Sequence, residues 1–272
     1  MGDWSLMEGQ LVDTVGEDLA TSRGTTVTAS STANTKGSWA QLVAATTYDA
    51  SGLVVFINKL ASSDFLVDIG IGASGSERII VPDLVAGYYT RYQAAVYYVP
   101  ISIPAGVRIA ARCQSISGGA TLSVLVSLLS QGFLPSSSLG RVTAYGANTA
   151  DSGGTSVDPG GVAHTKNAYS QINGATANPI RALAIGIGCQ ENGARTQGFW
   201  LVDIAVGAAG SEKIILPDVH LSAELTIDSI TPSALGVFFI DIPAGVRLAA
   251  RAQSSITDAT DRLFDIVLYG ID

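Results

Sequence analysis

The chain has 272 residues, of which 47% are apolar and 14% charged, and its formal net charge is −8. That length allows one large or two medium domains, and the charged share is low beside the roughly 25% usual in soluble domains. Acidic groups outnumber basic ones in both halves (10 to 7 over residues 1–135, 13 to 8 over 136–272). Without a basic run there is no positive stripe to neutralise phosphates, which excludes nucleic acid as the expected partner.

In chain order, residues 1–20 come first, with Asp3, Glu8, Asp13, Glu17 and Asp18 and no basic residue. Trp4, Leu6, Met7, Leu11, Val12 and Val15 show partial helical spacing. Residues 1–23 read as an N-terminal arm, with Trp4, Leu6, Met7 and Leu11 as the apolar anchors that would hold it to a neighbouring subunit. Early acids, no basic n-region and no long apolar run argue against a signal peptide. The longest apolar run, at 121–129, falls far short of the ~20 residues of a membrane helix. The expectation is a chain made in a cytoplasm, with no membrane partner.

From Gly24 onward the apolar runs are short and rich in β-branched residues and Tyr. They predict strands near 25–29, 38–47, 52–60, 64–71, 77–81, 93–102, 106–115 and 121–129. Over 106–115, Val107, Ile109, Ala111 and Cys113 alternate with Arg108, Ala110, Arg112 and Gln114, the pattern of a sheet with one polar face. The IPAG tetrads at 103–106 and 242–245 read as turns, with Pro104 or Pro243 at the first corner and Gly106 or Gly245 free to take a left-handed conformation.

The same blocks then return. FLVDIGIGASGSERIIVPDL at 65–84 and WLVDIAVGAAGSEKIILPDV at 200–219 are identical at 13 of 20 positions, and IPAGVRIAARCQS at 103–115 and IPAGVRLAARAQS at 242–254 at 11 of 13. Two blocks repeated in the same order mean a duplicated domain. The expected organisation is an arm over 1–23, a β-sandwich over 24–131, a linker over 132–153 containing PSSS, and a second β-sandwich over 154–272. The fold class is all-β: two tandem antiparallel β-sandwiches, jelly-roll-like because each copy has eight strands. A plain Greek-key sandwich is the alternative, since strand order is not readable here. The second copy gains about five residues near 190–195 and about four more between the two blocks.

No residue set marks a catalytic centre. The two histidines, His164 and His220, are not shared between copies, and no His/Cys cluster has metal-ligand spacing. No cofactor or metal is expected, and the chain reads as not an enzyme. Cys113 and Cys189 fall at different positions of the two copies, so buried free thiols are favoured over a bridge. Asp68/Asp203, Glu77/Glu212, Asp83/Asp218, Arg108/Arg247 and Arg112/Arg251 are shared. Asp68 with Glu77 invites a glycosidase reading, but residues kept in both copies serve what both need, and cross-strand ion pairs meet that need better. The copies differ at GYYTRYQ, 87–93, followed by Tyr97 and Tyr98. Tyr88, Tyr89, Arg91 and Tyr92 are therefore the candidates for binding a partner protein or a glycan, because Tyr and Arg combine area with hydrogen bonding.

The run LVDIGIGASGSE, IIVP, IPAGVRIAARCQS and TLSVLV, with its counterpart in the second copy, resembles β-sandwich proteins among the virion structural components of tailed bacteriophages and related gene transfer particles. The resemblance covers about half the chain and none of residues 1–23. It implies a head fibre or spike, a decoration protein, or a tail component, located in the virion, with other virion proteins and further copies of itself as partners. It brings no catalytic residue. A carbohydrate-binding adhesin recognising host surface polysaccharide is the alternative, with Tyr88 to Tyr92 as its site.

Overall fold

The structure, a computed structural model, describes residues 11–61, 63–86, 95–130, 140–189, 198–223, 233–255 and 263–272. Nineteen strands run in chain order among the described residues, and no helix. The first half holds β1 (Val12–Val15), β2 (Glu17–Asp18), β3 (Arg23–Thr28), β4 (Ala40–Val43), β5 (Ala50–Lys59), β6 (Phe65–Ile71), β7 (Arg78–Ala86), β8 (Ala95–Val99), β9 (Ile109–Ser115) and β10 (Thr121–Ser130). The second holds β11 (Val142–Tyr145), β12 (Thr155–Val157), β13 (Ser170–Asn173), β14 (Ile180–Cys189), β15 (Gly198–Val206), β16 (Lys213–Ala223), β17 (Ser233–Ile242), β18 (Leu248–Ser254) and β19 (Phe264–Ile271).

Each half is a sandwich of two antiparallel sheets. In the first, β3-β10-β5-β8 faces β4-β9-β6-β7; in the second, β12-β19-β14-β17 faces β13-β18-β15-β16. Numbering the eight strands of either half in sequence, the orders are 1-8-3-6 and 2-7-4-5. The chain crosses between layers at most steps, which is jelly-roll connectivity and decides against the plain Greek key. The inner faces supply the cores: Val55, Ile57, Val124 and Val126 against Val67, Ile69, Ile109 and Ala111 in the first, and Leu183, Ile185, Ile266 and Leu268 against Val202, Ile204 and Ala250 in the second.

The first half of β10 pairs with β3 (Thr121 to Val124), and its second half pairs with β1 (Val126 to Leu129). Without β1, half an edge of backbone donors and acceptors would be left open. The segment read as a partly helical arm therefore enters the sheet from Val12. Likewise β11, inside the span read as linker, pairs with Leu268 to Ile271 of β19, and β12 takes the rest of that edge. The duplication thus begins earlier than Gly24: Val12, Gly16, Ser22 and Gly24 correspond to Val142, Gly146, Ser152 and Gly154. Gly16 and Gly146 share φ +85°, while Ser22 and Ser152 lie at +56° and +59°.

The repeated IPAG block is a hydrogen-bonded unit. Thr46 Oγ1 donates to Pro104 O (2.9 Å) and accepts from Val107 N (3.2 Å), and Gly106, at φ +75°, donates to Thr46 O (2.8 Å). Thr176, Pro243, Val246 and Gly245 repeat it at 2.8, 3.1 and 2.7 Å.

Candidate functional site

The charged residues shared by the copies form two equivalent frameworks. Asp68 on β6 stands opposite Arg112 on β9, and Asp203 on β15 opposite Arg251 on β18. Each carboxylate takes the Arg Nε at 2.9 Å and a Lys Nζ at 2.7 Å, from Lys36 or Lys166. Lys36 also reaches Asp83 Oδ1 (2.7 Å) and Leu66 O (3.2 Å), so all three ammonium donors are used. Asp83 and Asp218, both at φ +51°, donate their N–H to Asp68 and Asp203 at 3.0 Å. Burial pushes the Asp203 pKa up, but the Lys166 ammonium, the Asp218 N–H and the Arg251 guanidinium outweigh it and leave it below the ordinary carboxylate value. Glu77 and Glu212 each hold their own cation, Arg108 at 2.7 Å and Arg247 at 2.9 Å. Asp68 and Glu77 are thus committed to separate ion pairs, the first across β6 and β9 and the second just before β7 and β9, and these sites brace the second sheet of each sandwich.

Some of the residues that differ between copies, Tyr269 among them, lie where the sandwiches meet. The outer face of β14 and β19 lies against the outer face of β6, β7 and β9, and Ala182, Ala184, Val267, Tyr269 and Ile271 join the apolar cluster of the first sandwich. Tyr269 Oη accepts from Val85 N and donates to Asp83 O, both at 2.9 Å, while Tyr97 Oη donates to Val85 O at 2.6 Å. The two rings meet edge to face, 5.7 Å apart. A Cβ at Gly186 would sit 2.8 Å from the Tyr269 ring, and one at Gly188 would sit 2.6 Å from Val85 Cγ1. Gln114, on the face expected to be solvated, is buried because Thr149 O and Ser152 Oγ receive its amide at 2.8 and 3.2 Å. Ser152 in turn donates to Asn34 Oδ1 at 2.8 Å. The alternation over 106–115 therefore marks one face packed on the core and a second whose Gln114 end is covered by the other sandwich, while Arg108 and Arg112 stay partly exposed.

Beside this junction the loops before β12 frame an open groove of about 640 Å³, lined by Asn148, Asp151, Thr155, Ser156, Tyr145 and Asp265 among others. Asp265 accepts the Gly154 N–H at 3.1 Å. Burial, reinforced by the charges of Asp151 and Asp64, pushes its pKa up to about 7. A carboxyl that holds its proton near neutrality can give a proton to a leaving group or take one from water. Nothing in the sequence set Asp265 apart, because its burial comes from the packing of distant segments. Among the described residues, no group of three or more His, Cys, Asp or Glu could hold a metal ion.

Tyr88, Tyr89, Arg91 and Tyr92 lie outside the described residues, as do Trp4, Leu6 and Met7 and the insertion at 190–195. Leu11 lies at the entry to β1, half exposed; its N–H donates to Ser130 Oγ at 2.6 Å and its carbonyl accepts the Ser130 N–H at 2.9 Å. Tyr97 is fully buried in the junction, and Tyr98 stands half-buried on the outer face of β8. Cys113 is a free thiol in the core, and burial pushes its pKa up to about 12, which leaves it unreactive.

No family model matches the chain, and no curated protein matches it in sequence. Solved structures similar to it include a peptide-N(4)-(N-acetyl-β-D-glucosaminyl)asparagine amidase, at 10% identity and a TM-score of 0.43 over 96% of both chains. PNGase F, a glycosylasparaginase from Flavobacterium meningosepticum, follows at 11% and 0.42, covering 96% of this chain and 95% of that one. PNGF-II gives 9% and 0.36, over 96% of this chain and 65% of its own. The expectation that the chain is not an enzyme is corrected to this extent: the solved structures that match it include amidases, a likeness of fold alone. At these identities and TM-scores the likeness assigns no residue a role.

Proposed function

We propose that the chain is a virion assembly subunit, a head fibre, decoration or tail component that packs against other virion proteins through its sheet faces and its N-terminal residues. One observation supports this above the others. The outer face of β3-β10-β5-β8 carries Val54, Phe56, Leu125 and Leu129, all half-buried, with Val96 and Val12 40% and 56% exposed. An antiparallel sheet face left to water is polar, and a contiguous apolar patch signals a partner. The resemblance of the repeated blocks to virion sandwiches supports the same reading. The test is labelling of purified particles with an antibody to this chain, viewed by electron microscopy. Label at a defined place on head or tail is expected. Unlabelled particles from a source that expresses the chain would overturn the reading.

A second reading, glycan hydrolysis, is favoured by Asp265, a carboxyl protonated near neutrality in an open groove. It requires that polysaccharide be cleaved by the wild-type chain and left intact by Asp265→Asn.

A further inference from the structure

The way the two copies meet inside the chain says what a third would do. The outer face of the second sheet of the first sandwich is covered by the outer face of the first sheet of the second sandwich. On the covered side are Leu66, Val85 and Gln114, exposed by 0, 2 and 2%. On the covering side are Ala184, Val267, Tyr269 and Ile271. The contact joins two different surfaces of a repeated unit, so it is heterologous. A heterologous contact between two repeats always leaves one surface of each kind unused.

Both unused surfaces are visible. Strand registers match Leu201 to Leu66, His220 to Val85, Gln253 to Gln114 and Phe199 to Asp64. On this second-sandwich face, Leu201 and Gln253 are only half-buried and His220 is exposed. Phe199, 59% exposed, stacks on His220 with centroids 5.8 Å apart. The backbone beneath has the same shape as in the covered copy: the Asp203, Lys166, Asp218 and Arg251 framework repeats that of Asp68, Lys36, Asp83 and Arg112. On the other side, Val54, Phe56, Leu125 and Leu129 stand where Ala184, Gly186, Val267 and Ile271 stand in the covering face. The apolar character is kept, and the bulk has moved. Inside the chain Tyr269 lies over Gly186, whereas on the free face Ser127 replaces the Tyr and Phe56 fills the place of Gly186. The receiving face changes too, gaining Phe199 where the covered copy has Asp64.

Resting on the assembly reading, we infer that the occupant of each free face is a second copy of this chain. The outer face of β5 and β10 of one molecule docks on the outer face of β15 and β16 of the next, continuing the repeat-to-repeat packing already present within the chain. The docking is head to tail, so it builds rings if the rotation closes and filaments if it does not. Phe56 on one side and Phe199 with His220 on the other are the aromatic anchors.

Analytical ultracentrifugation of the full chain tests this with Phe56→Asp and Phe199→Asp. The wild type is expected to form species larger than a dimer that grow with concentration. Each variant alone is expected to sediment as a monomer with wild-type circular dichroism. An equimolar mixture of the two retains one intact pair of faces and is expected to stop at dimers. Val96→Lys and His220→Asp, at exposed positions, serve as a second pair should either Phe variant unfold. Three results would overturn the inference: a wild type monomeric at all concentrations, Phe199→Asp assembling as well as wild type while Phe56→Asp does not, or a mixture that stays monomeric. The second result would mean that the apolar face pairs with itself. A monomeric wild type that still labels particles would sink this inference and leave the virion reading standing.

Discussion

Asp265 sits on the strand that closes the second sandwich, and its environment fixes the sign of its effect on stability. Burial raises its folded-state pKa to about 7 from the ordinary 3.8. The stabilisation it gives is therefore complete below about pH 4, falls as pH rises towards 7, and is gone above. Asp203 acts in the opposite sense: its lowered pKa gives a contribution present above the ordinary carboxylate range and lost as pH falls through it. Asp265→Asn keeps the side-chain shape and removes the titration. The melting temperature of the variant should then fall less between pH 4 and 7 than that of the wild type, and superimposable profiles would refute the assignment. A second residue-scale prediction concerns Trp39, whose ring lies 4.6 Å beneath the Arg112 guanidinium. A Cβ at Gly70 would meet that ring at 2.7 Å. The other copy exchanges both members, with Ala205 and Tyr169, and Tyr169 keeps the 4.6 Å contact to Arg251. Gly70→Ala should cost about 1–3 kcal/mol by overpacking. Trp39→Tyr should recover part of that cost in the double variant, and additive losses by chemical denaturation would show the two positions to be independent.

At the scale of elements, what was legible in the sequence was what the duplication printed twice. The repeated blocks at 65–84 and 200–219 are β6–β7 and β15–β16, and the IPAG tetrads are turns with glycine at positive φ. The Asp–Arg pairs shared by the copies lie across strands, as opposite charges with fixed register should. Legibility failed where a segment takes its structure from a distant partner. Val12–Val15 is four residues long, too short for periodicity to separate helix from strand, and it becomes β1 because β10 extends beyond β3. The corresponding β11 sits after the Pro and Ser run that marks a linker. The spacing of Gly16, Ser22 and Gly24 to Gly146, Ser152 and Gly154 held the signal, but glycines and serines are weak markers without the φ values that require them. The order of the eight strands was illegible for the same reason, because any two apolar strands can pair and only the closed sheets decide. The site at Asp265 is a further case, made by the closure of β19 against loops more than a hundred residues away.

For the whole molecule the decisive surface is the one between the sandwiches. It combines apolar residues of both halves in one cluster, the Tyr97–Tyr269 ring pair, and hydrogen bonds from Tyr269 and Ser152 to the first sandwich. Separating the halves would expose Ala184, Val267 and Ile271 to water and strip the partners from Tyr269 and Gln114, a double cost of lost apolar burial and unmet polar groups. The halves should consequently unfold together, giving one calorimetric transition in which the van't Hoff and calorimetric enthalpies agree. Gly188 is a point at which this coupling can be cut, since β14 passes so close to Val85, at the rim of the first core, that a Cβ would lie 2.6 Å from its methyl group. Gly188→Val puts a branched side chain into that gap and pushes the sandwiches apart while leaving Leu183, Ile185 and Ile187 on the inner side of the same strand. Its thermogram should resolve into two transitions, the lower one at a reduced temperature. A single transition that merely moves down would mean that each half depends on the other for its own core. The heterologous packing would then be a condition for folding as well as a pattern for assembly.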